Sequence, residues 1–311
     1  MGKLNILVFA KPNSRTFKFV LADFFMELGR QARVQVWDKD NWDTYYILKV
    51  MRNRGFNPDF ILHYDFVYNY SFAPRVLGLN RVNIPKGVYY FDLQVKKDER
   101  RRFIQHNGID LVFCTSRDLF RREYRGLQRM FRWLPFSIDP SIFKDWKLDK
   151  TIDFLLMGNM WKGWYPFRER VLEVMRGKRG FVYHGHPWKS GAGKNSNYIG
   201  ESYAQEINRA KIFFTCGTKY GYPVKKFFEV PACNTLLIAQ GNNDLEGLGF
   251  IDGENYVKST EEDFYDLAMY FLHNRQERER IALNGYNLVH SRHTNQVRVK
   301  EFLDMVKQYT K

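Results

Sequence analysis

Short, nearly unbroken apolar runs recur along this chain, separated by longer stretches in which apolar residues return with a helical period. Strands are expected at residues 4–10, 32–37, 60–63, 87–91 and 111–114, with helices between them, for example at residues 16–29 and 96–107. Such alternation implies a mainly parallel sheet covered on both faces. Trp133-Leu134-Pro135-Phe136 and Asp139-Pro140 break the pattern, and the polar, irregular stretch up to Lys150 reads as a linker. The alternation then restarts. Residues 152–157, 181–184, 212–216 and 236–239 form strands of a second sheet, with helices at 167–175, 203–209 and 224–232. From Glu261 onward the pattern is wholly helical, ending in residues 296–309. The expected fold class is α/β, with two Rossmann-like doubly wound domains facing a cleft. The first covers residues 1–134, a linker covers 135–150, and the second covers 151–311 with closing C-terminal helices. Ligands favour such clefts.

A length of 311 residues suits two domains of about 150 residues each. No apolar run approaches the roughly 18 residues of a spanning helix, and the first residues become a strand without a signal-peptide pattern. A cytoplasmic protein with no transmembrane segment is expected. The three cysteines, Cys114, Cys216 and Cys233, form no CxxC pair, so buried reduced thiols are expected rather than disulfides or a zinc site. His63, His184, His186, His290 and His293 show no ligand spacing with nearby cysteines or carboxylates, and no metal is expected.

The net charge of +15 is unevenly placed. Residues 1–150 hold 27 Lys and Arg against 16 Asp and Glu, or +11, which leaves 22 against 18, or +4, for the remainder. Within the first half, Lys96, Lys97, Arg100, Arg101, Arg102, Arg117, Arg121, Arg122, Arg125, Arg129 and Arg132 face only five acidic residues. This run is either a solvated helical surface or a contact for a polyanion, and the first five of these cations are the candidate acceptor-binding residues.

Candidate chemistry concentrates in the second half. An apolar strand at Lys211-Ile212-Phe213-Phe214-Thr215-Cys216 runs into a Gly/Pro-broken loop and then Lys225-Lys226-Phe227-Phe228-Glu229. Lysines and a carboxylate beyond a parallel strand suit a ligand that carries both phosphates and hydroxyls, such as a nucleotide sugar. Glu229 can accept both hydroxyls of a ribose, and Lys226, three residues earlier on the same helical face, can neutralise a diphosphate. Met157-Gly158-Asn159-Met160-Trp161-Lys162 leaves another strand, and a helix with Arg168 follows. Glycine there admits a phosphate close to the backbone, and Lys162 and Arg168 add mobile and bidentate charge. The stretch Gly185 to Lys194 imitates a phosphate loop, but Trp188 stands where its first glycine belongs and Pro187 removes an N–H, so a flexible loop is expected.

In the first half, Tyr89-Tyr90-Phe91-Asp92 puts a carboxylate at a strand's carboxyl end. Asp92 is either a general base for an acceptor hydroxyl or the cap of the segment near Val95. His63 and Asp65 follow a neighbouring strand with the same two readings. Trp42, Tyr64, Tyr68, Tyr70 and Phe72 can line an acceptor groove.

Leu134-Pro135-Phe136-Ser137-Ile138-Asp139-Pro140, Phe154-Leu155-Leu156-Met157-Gly158-Asn159, Lys226-Phe227-Phe228-Glu229-Val230-Pro231-Ala232, Phe250-Ile251-Asp252-Gly253-Glu254-Asn255-Tyr256 and Ile281-Ala282-Leu283-Asn284-Gly285-Tyr286, with His293-Thr294 behind, resemble the GT-B glycosyltransferases, especially the CgeB-like, spore-maturation-type family. The resemblance covers residues 130–300. It implies a nucleotide-diphosphate-sugar donor, a UDP-sugar foremost, with Glu229 on the ribose and Lys226, Arg168 and the Gly158 loop on the diphosphate. Two departures stand out: the family commonly has Arg at the position of Lys226, and the second acidic residue of the broader E-x7-E pattern would fall at Gly221, which is not acidic. A weaker resemblance joins Tyr89-Tyr90-Phe91-Asp92, Lys226-Phe227-Phe228-Glu229, the length and the basic character to phage DNA glucosyltransferases, which implies Asp92 as the base. The expected activity is transfer of a sugar to a hydroxyl on a polyanionic acceptor, such as a hydroxylated base of duplex DNA. The alternatives are a surface or spore glycan or glycoprotein as acceptor, and a non-catalytic nucleic-acid-binding protein on the same fold.

Overall fold

The structure, a computed structural model, describes residues 2–12, 22–67, 70–186 and 198–310. The chain divides into two compact units, one made of Met1–Pro135 with Asn295–Lys311, the other of Phe136–Thr294.

The first unit is built from β1 (Asn5–Phe9), α1 (Ala22–Gln31), β2 (Arg33–Trp37), β3 (Trp42–Asp43), α2 (Thr44–Asn53), β4 (Phe60–Tyr64), β5 (Val76–Leu77), β6 (Lys86–Tyr90), α3 (Lys97–Asn107), β7 (Leu111–Cys114), α4 (Arg117–Glu123) and β8 (Phe131–Trp133). Six strands pair in the order β2-β1-β4-β6-β7-β8, every neighbour parallel, and β3 pairs with β5 in a separate parallel ribbon. The central strands are buried throughout, as apolar runs covered on both faces must be. Gly87 in β6 is required by packing: a Cβ there would stand 2.8 Å from the Phe60 ring and 2.9 Å from that of Phe113. The helix expected at residues 16–29 is described from Ala22 to Gln31, and its first part lies outside the described residues.

The C-terminal helix (Asn295–Thr310) was expected to close the second domain, and it belongs instead to the first unit. Its buried stripe Val299, Phe302, Leu303 and Val306 follows helical spacing. Phe302 is fully buried, with ring centroids 6.0 Å from Phe24, 6.3 Å from Phe60 and 4.8 Å from Phe113. Periodicity marked this stripe as apolar but carried no information about which sheet it would cover.

The second unit contains β9 (Ile152–Gly158), α5 (Pro166–Met175), β10 (Phe181–Gly185), α6 (Glu201–Asn208), β11 (Ala210–Thr215), α7 (Lys226–Ala232), β12 (Leu236–Ala239), α8 (Asn243–Gly247), β13 (Val257–Lys258), α9 (Phe264–His273) and α10 (Arg275–Arg292). Its five strands run parallel in the order β10-β9-β11-β12-β13. Residues 136–150, expected as a linker, are held by this unit. Ile138 N–H donates to the His293 carbonyl at 3.0 Å, Phe143 is buried, and Asn208 Nδ2 reaches Asp145 at 3.1 Å. Lys150 Nζ caps the Asn234 carbonyl at 2.7 Å. These contacts span sequence separations that no local pattern reports.

Replacing Phe302 with Ala removes a ring shared by three aromatic neighbours and should cost about 3–5 kcal/mol. Urea denaturation would check this, and a loss below about 1 kcal/mol would contradict the packing described.

Candidate functional site

All strands of the second sheet point the same way, so the loops leaving β9 and β11, which are paired neighbours, open at one edge. β9 ends at Gly158, whose φ of 122° lies in a region that side chains with a Cβ rarely adopt. A Cβ at Gly158 would stand 3.1 Å from Lys226 Nζ and 3.7 Å from an Arg168 guanidinium nitrogen. The missing side chain leaves room for the end of Lys226 at the strand end, with Arg168 at ordinary contact distance.

Lys226 opens α7 after the loop from β11, and Arg168 sits on α5. Arg168 is 3% exposed. Its guanidinium donates to the Cys216 carbonyl at 3.1 Å and lies 4.1 Å from the Tyr165 ring centroid, while its Nε has no partner among the described residues. Arg168 and Lys226 line one cavity of about 480 Å³ with Asn159, Trp161, Tyr165 and Val224. Burial, together with the neighbouring Arg168 charge, pulls the Lys226 ammonium down to about 8, and Glu229 acts in the opposite direction. An anion entering this cavity would meet two cations already stripped of much of their water.

Glu229 lies one turn along α7 from Lys226 and is buried. One carboxylate oxygen accepts a 3.1 Å hydrogen bond from the Tyr203 hydroxyl on α6. Asn159, Arg168 and Lys226 thus meet at the cavity, Gly158 lies against both cations, and Glu229, itself outside the lining, stands one turn along α7 from Lys226. Lys162 is exposed and absent from the cavity lining, and Lys225 serves as the cap residue of α7 outside that lining. Sequence reasoning missed Tyr203 and Tyr165. Tyr203 is 26 residues from Glu229, and an aromatic residue on a helix gives no sign of which carboxylate it meets. The phosphate-loop imitation lies mostly at residues 187–197, outside the described residues.

In the first unit two expectations are corrected. His63, a candidate catalyst, is 1% exposed, its ring 5.9 Å from Phe9 and 5.0 Å from Phe103. Its Nδ1 meets the Tyr64 carbonyl at 2.6 Å, and burial pulls its pKa to about 4. It is a neutral core histidine. Arg100, a candidate acceptor contact, is fully buried in an ion pair with Asp65. Burial raises the Asp65 carboxyl while Arg100 opposes the rise. Arg100 also donates to the carbonyls of Phe91 at 2.7 Å, Asp92 at 2.9 Å and Val95 at 3.0 Å. It is thus the internal strut of the loop after β6. That loop holds Asp92, half-buried, with φ of 37°.

The other candidate cations divide. Lys97 pairs with Glu123 at 2.6 Å and Lys96 with Glu99 at 3.3 Å. Arg101 donates to the carbonyls of Glu123 and Arg125 at the end of α4. Arg102 is exposed, as are Arg121, Arg125 and Arg129. Tyr64 and Phe72 are buried, Tyr70 and Trp42 keep exposed surface, and Tyr68 lies outside the described residues. All three cysteines are buried free thiols. Among the described residues no cluster of three His, Cys, Asp or Glu gathers as a metal site, and no helix is long and apolar enough to cross a membrane.

Two parallel-sheet units, the second with a cationic cavity beyond its strand ends, define the GT-B class of glycosyltransferase architecture. The solved structures agree on the fold. Sucrose-phosphate synthase from Thermosynechococcus elongatus aligns over 99% of both chains with a TM-score of 0.63 at 12% identity. Anabaena Alr3699/HepE, in complex with UDP and glucose, aligns over 99% of this chain and 100% of its own with a TM-score of 0.64 at 9% identity. A glycosyltransferase from Rickettsia africae aligns over 100% of both chains at 0.60 and 12% identity. A family model described as glycosyl transferase-like matches residues 143–304, just over half of the chain, and this protein belongs to that family. It is accordingly a glycosyltransferase with the GT-B fold. No curated protein matches the sequence.

The depressed Lys226 predicts a pH-dependent stability. Below pH 8 the folded chain carries a charge it has poorly solvated. Between about 8 and the ordinary 10.5 it binds fewer protons than the unfolded chain, so this contribution to stability rises with pH. Lys226→Met should therefore stabilise the protein at pH 7 by on the order of 1 kcal/mol, with the gain fading towards pH 10. Thermal unfolding at the two pH values checks this, and an equal gain at both would contradict it.

Proposed function

We propose that this glycosyltransferase uses a nucleoside diphosphate sugar, a UDP-sugar foremost, and transfers the sugar to a hydroxyl on a polyanionic acceptor. One observation carries the donor half: two enclosed cations, Arg168 and Lys226, share a cavity with no carboxylate in ion-pair contact with either among the described residues. A diphosphate supplies the missing negative charge. Glu229, one turn away, takes the ribose hydroxyls, and Asn159 and the open backbone at Gly158 border the phosphates. The Anabaena relative in complex with UDP and glucose supports the same donor class.

For the reaction, the acceptor hydroxyl loses its proton to Asp92, its oxygen bonds to the anomeric carbon, and the nucleoside diphosphate departs with the bonding pair. Arg168 and Lys226 stabilise the charge that grows on the leaving oxygen. Asp92 suits the base because the Arg100 strut fixes its backbone while its side chain keeps exposed surface.

The acceptor half rests on charge. With Arg100 buried, the exposed cations of the run from Lys96 to Arg132 are Arg102, Arg121, Arg125 and Arg129, with Lys96 and Arg122 exposed but paired to carboxylates, a predominantly arginine set suited to phosphates. Duplex DNA bearing a hydroxylated base is the acceptor this favours, in line with the weaker resemblance to phage DNA glucosyltransferases. An anionic surface or spore glycan, as the CgeB-like resemblance implies, fits the same charge.

Calorimetry should show Glu229→Ala and Lys226→Ala each weakening UDP-sugar binding about tenfold or more. Asp92→Asn should leave that affinity within about twofold while lowering turnover by about 10²–10⁴. Mass spectrometry of hydroxymethylated DNA and of anionic glycan, each incubated with a panel of nucleotide sugars, identifies the acceptor. Modification of the glycan alone removes DNA from the proposal. DNA binding indifferent to salt would do the same, because phosphate contacts release counterions.

A further inference from the structure

Glu229 does not stand alone in the second unit. The Tyr203 hydroxyl lies 3.1 Å from one of its carboxylate oxygens. Tyr203 is in the first turn of α6, the Phe143 ring meets it edge-on at 6.1 Å, and Lys226 Nζ lies 6.0 Å from its ring centroid. Three elements of different sequence origin thus converge on one phenol: the segment before β9, α6 and α7. The contact is directional. A carboxylate only accepts, so the phenol must donate.

We propose that Tyr203 is the positioning residue that makes Glu229 selective for a ribose over a deoxyribose, an inference that rests on the reading of Glu229 as the ribose contact. A free carboxylate on a short helix turns about its terminal bond and presents its lone pairs in many directions. Tyr203 holds one oxygen, so the other faces a fixed direction and the plane of the carboxylate is set. Two vicinal hydroxyls can then donate to a carboxylate that is already oriented, while a sugar with a single hydroxyl leaves acceptor capacity unmet in a buried place. Burial, reinforced by the Glu229 charge, raises the Tyr203 phenol well above its ordinary value, so it keeps its proton and remains a donor over the working pH range. Tyr203 touches no phosphate and no reacting atom in this account, and its effect passes entirely through Glu229.

The test is calorimetric and needs no acceptor. UDP, ADP and GDP are titrated into the full chain, and the tightest binder is compared with its 2′-deoxy counterpart in the parent, Tyr203→Phe and Glu229→Gln proteins. Tyr203→Phe keeps the ring that packs against Phe143 and removes only the donor. The parent should prefer the ribonucleotide. Tyr203→Phe should weaken the ribonucleotide about two- to tenfold, leave the deoxynucleotide within about twofold, and so move the preference towards that of Glu229→Gln. Equal weakening of both nucleotides in Tyr203→Phe shows a merely structural role and overturns the inference, as does an unchanged preference. If Glu229→Gln keeps the parent's preference, or the parent shows none, the ribose role of Glu229 fails and takes the inference with it. Absence of binding by all three nucleotides overturns the donor reading itself.

Discussion

Two like charges held side by side without a counterion govern the second unit. Arg168 and Lys226 converge on the end of β9 at Gly158, where a Cβ would crowd the end of Lys226, and the surroundings supply partial compensation in neutral form: the Cys216 carbonyl and the face of Tyr165. Glu229, whose charge acts on Lys226, already accepts from Tyr203. Such an arrangement costs stability in the free protein, and the depressed Lys226 is the direct expression of that cost. The fold sustains it because β9 and β11 are paired strands whose buried residues share one apolar cluster with α5. Preorganisation of this kind favours the anion over water without a further rearrangement.

The first unit uses buried charge in the opposite way. Arg100 meets Asp65 and three backbone carbonyls, so its donors are absorbed and nothing is left to attract a ligand. What this pair contributes is shape, since Asp65 also accepts from the Phe91 N–H at 3.1 Å and thereby ties the loop after β4 to the loop after β6. Arg168 differs: its Nε has no partner among the described residues and the side chain lines a cavity. The same residue type is therefore fully paired in one unit and lines a cavity in the other, and exposure alone would not distinguish them.

Much of the architecture was legible from periodicity. The strands at residues 111–114 and 236–239 were read to the residue, and most others to within one or two, because continuous apolar runs between helical stretches have few other solutions. Very short elements escaped: β3, β5 and β13 have two residues each, too few for any period to register. Helix existence was read more reliably than helix ownership, as the C-terminal helix shows.

For the site, the sequence by itself marked the candidate donor-side residues. A glycine at a strand exit and a Lys-x-x-Glu on one helical face are local patterns, and local geometry puts Gly158, Lys226 and Glu229 where those patterns indicate. Only the tertiary structure decided which charges are available. Arg100 and Arg102 stand two residues apart in one basic run, yet one is enclosed by Asp65 and the other open to solvent, because helical rotation turns them to different faces and the partner comes from the distant loop after β4. His63 was lost as a catalyst, and Tyr203 gained as a partner of Glu229, for the same reason. Burial and long-range contact set what a titratable side chain can do, and both are properties of the packed chain.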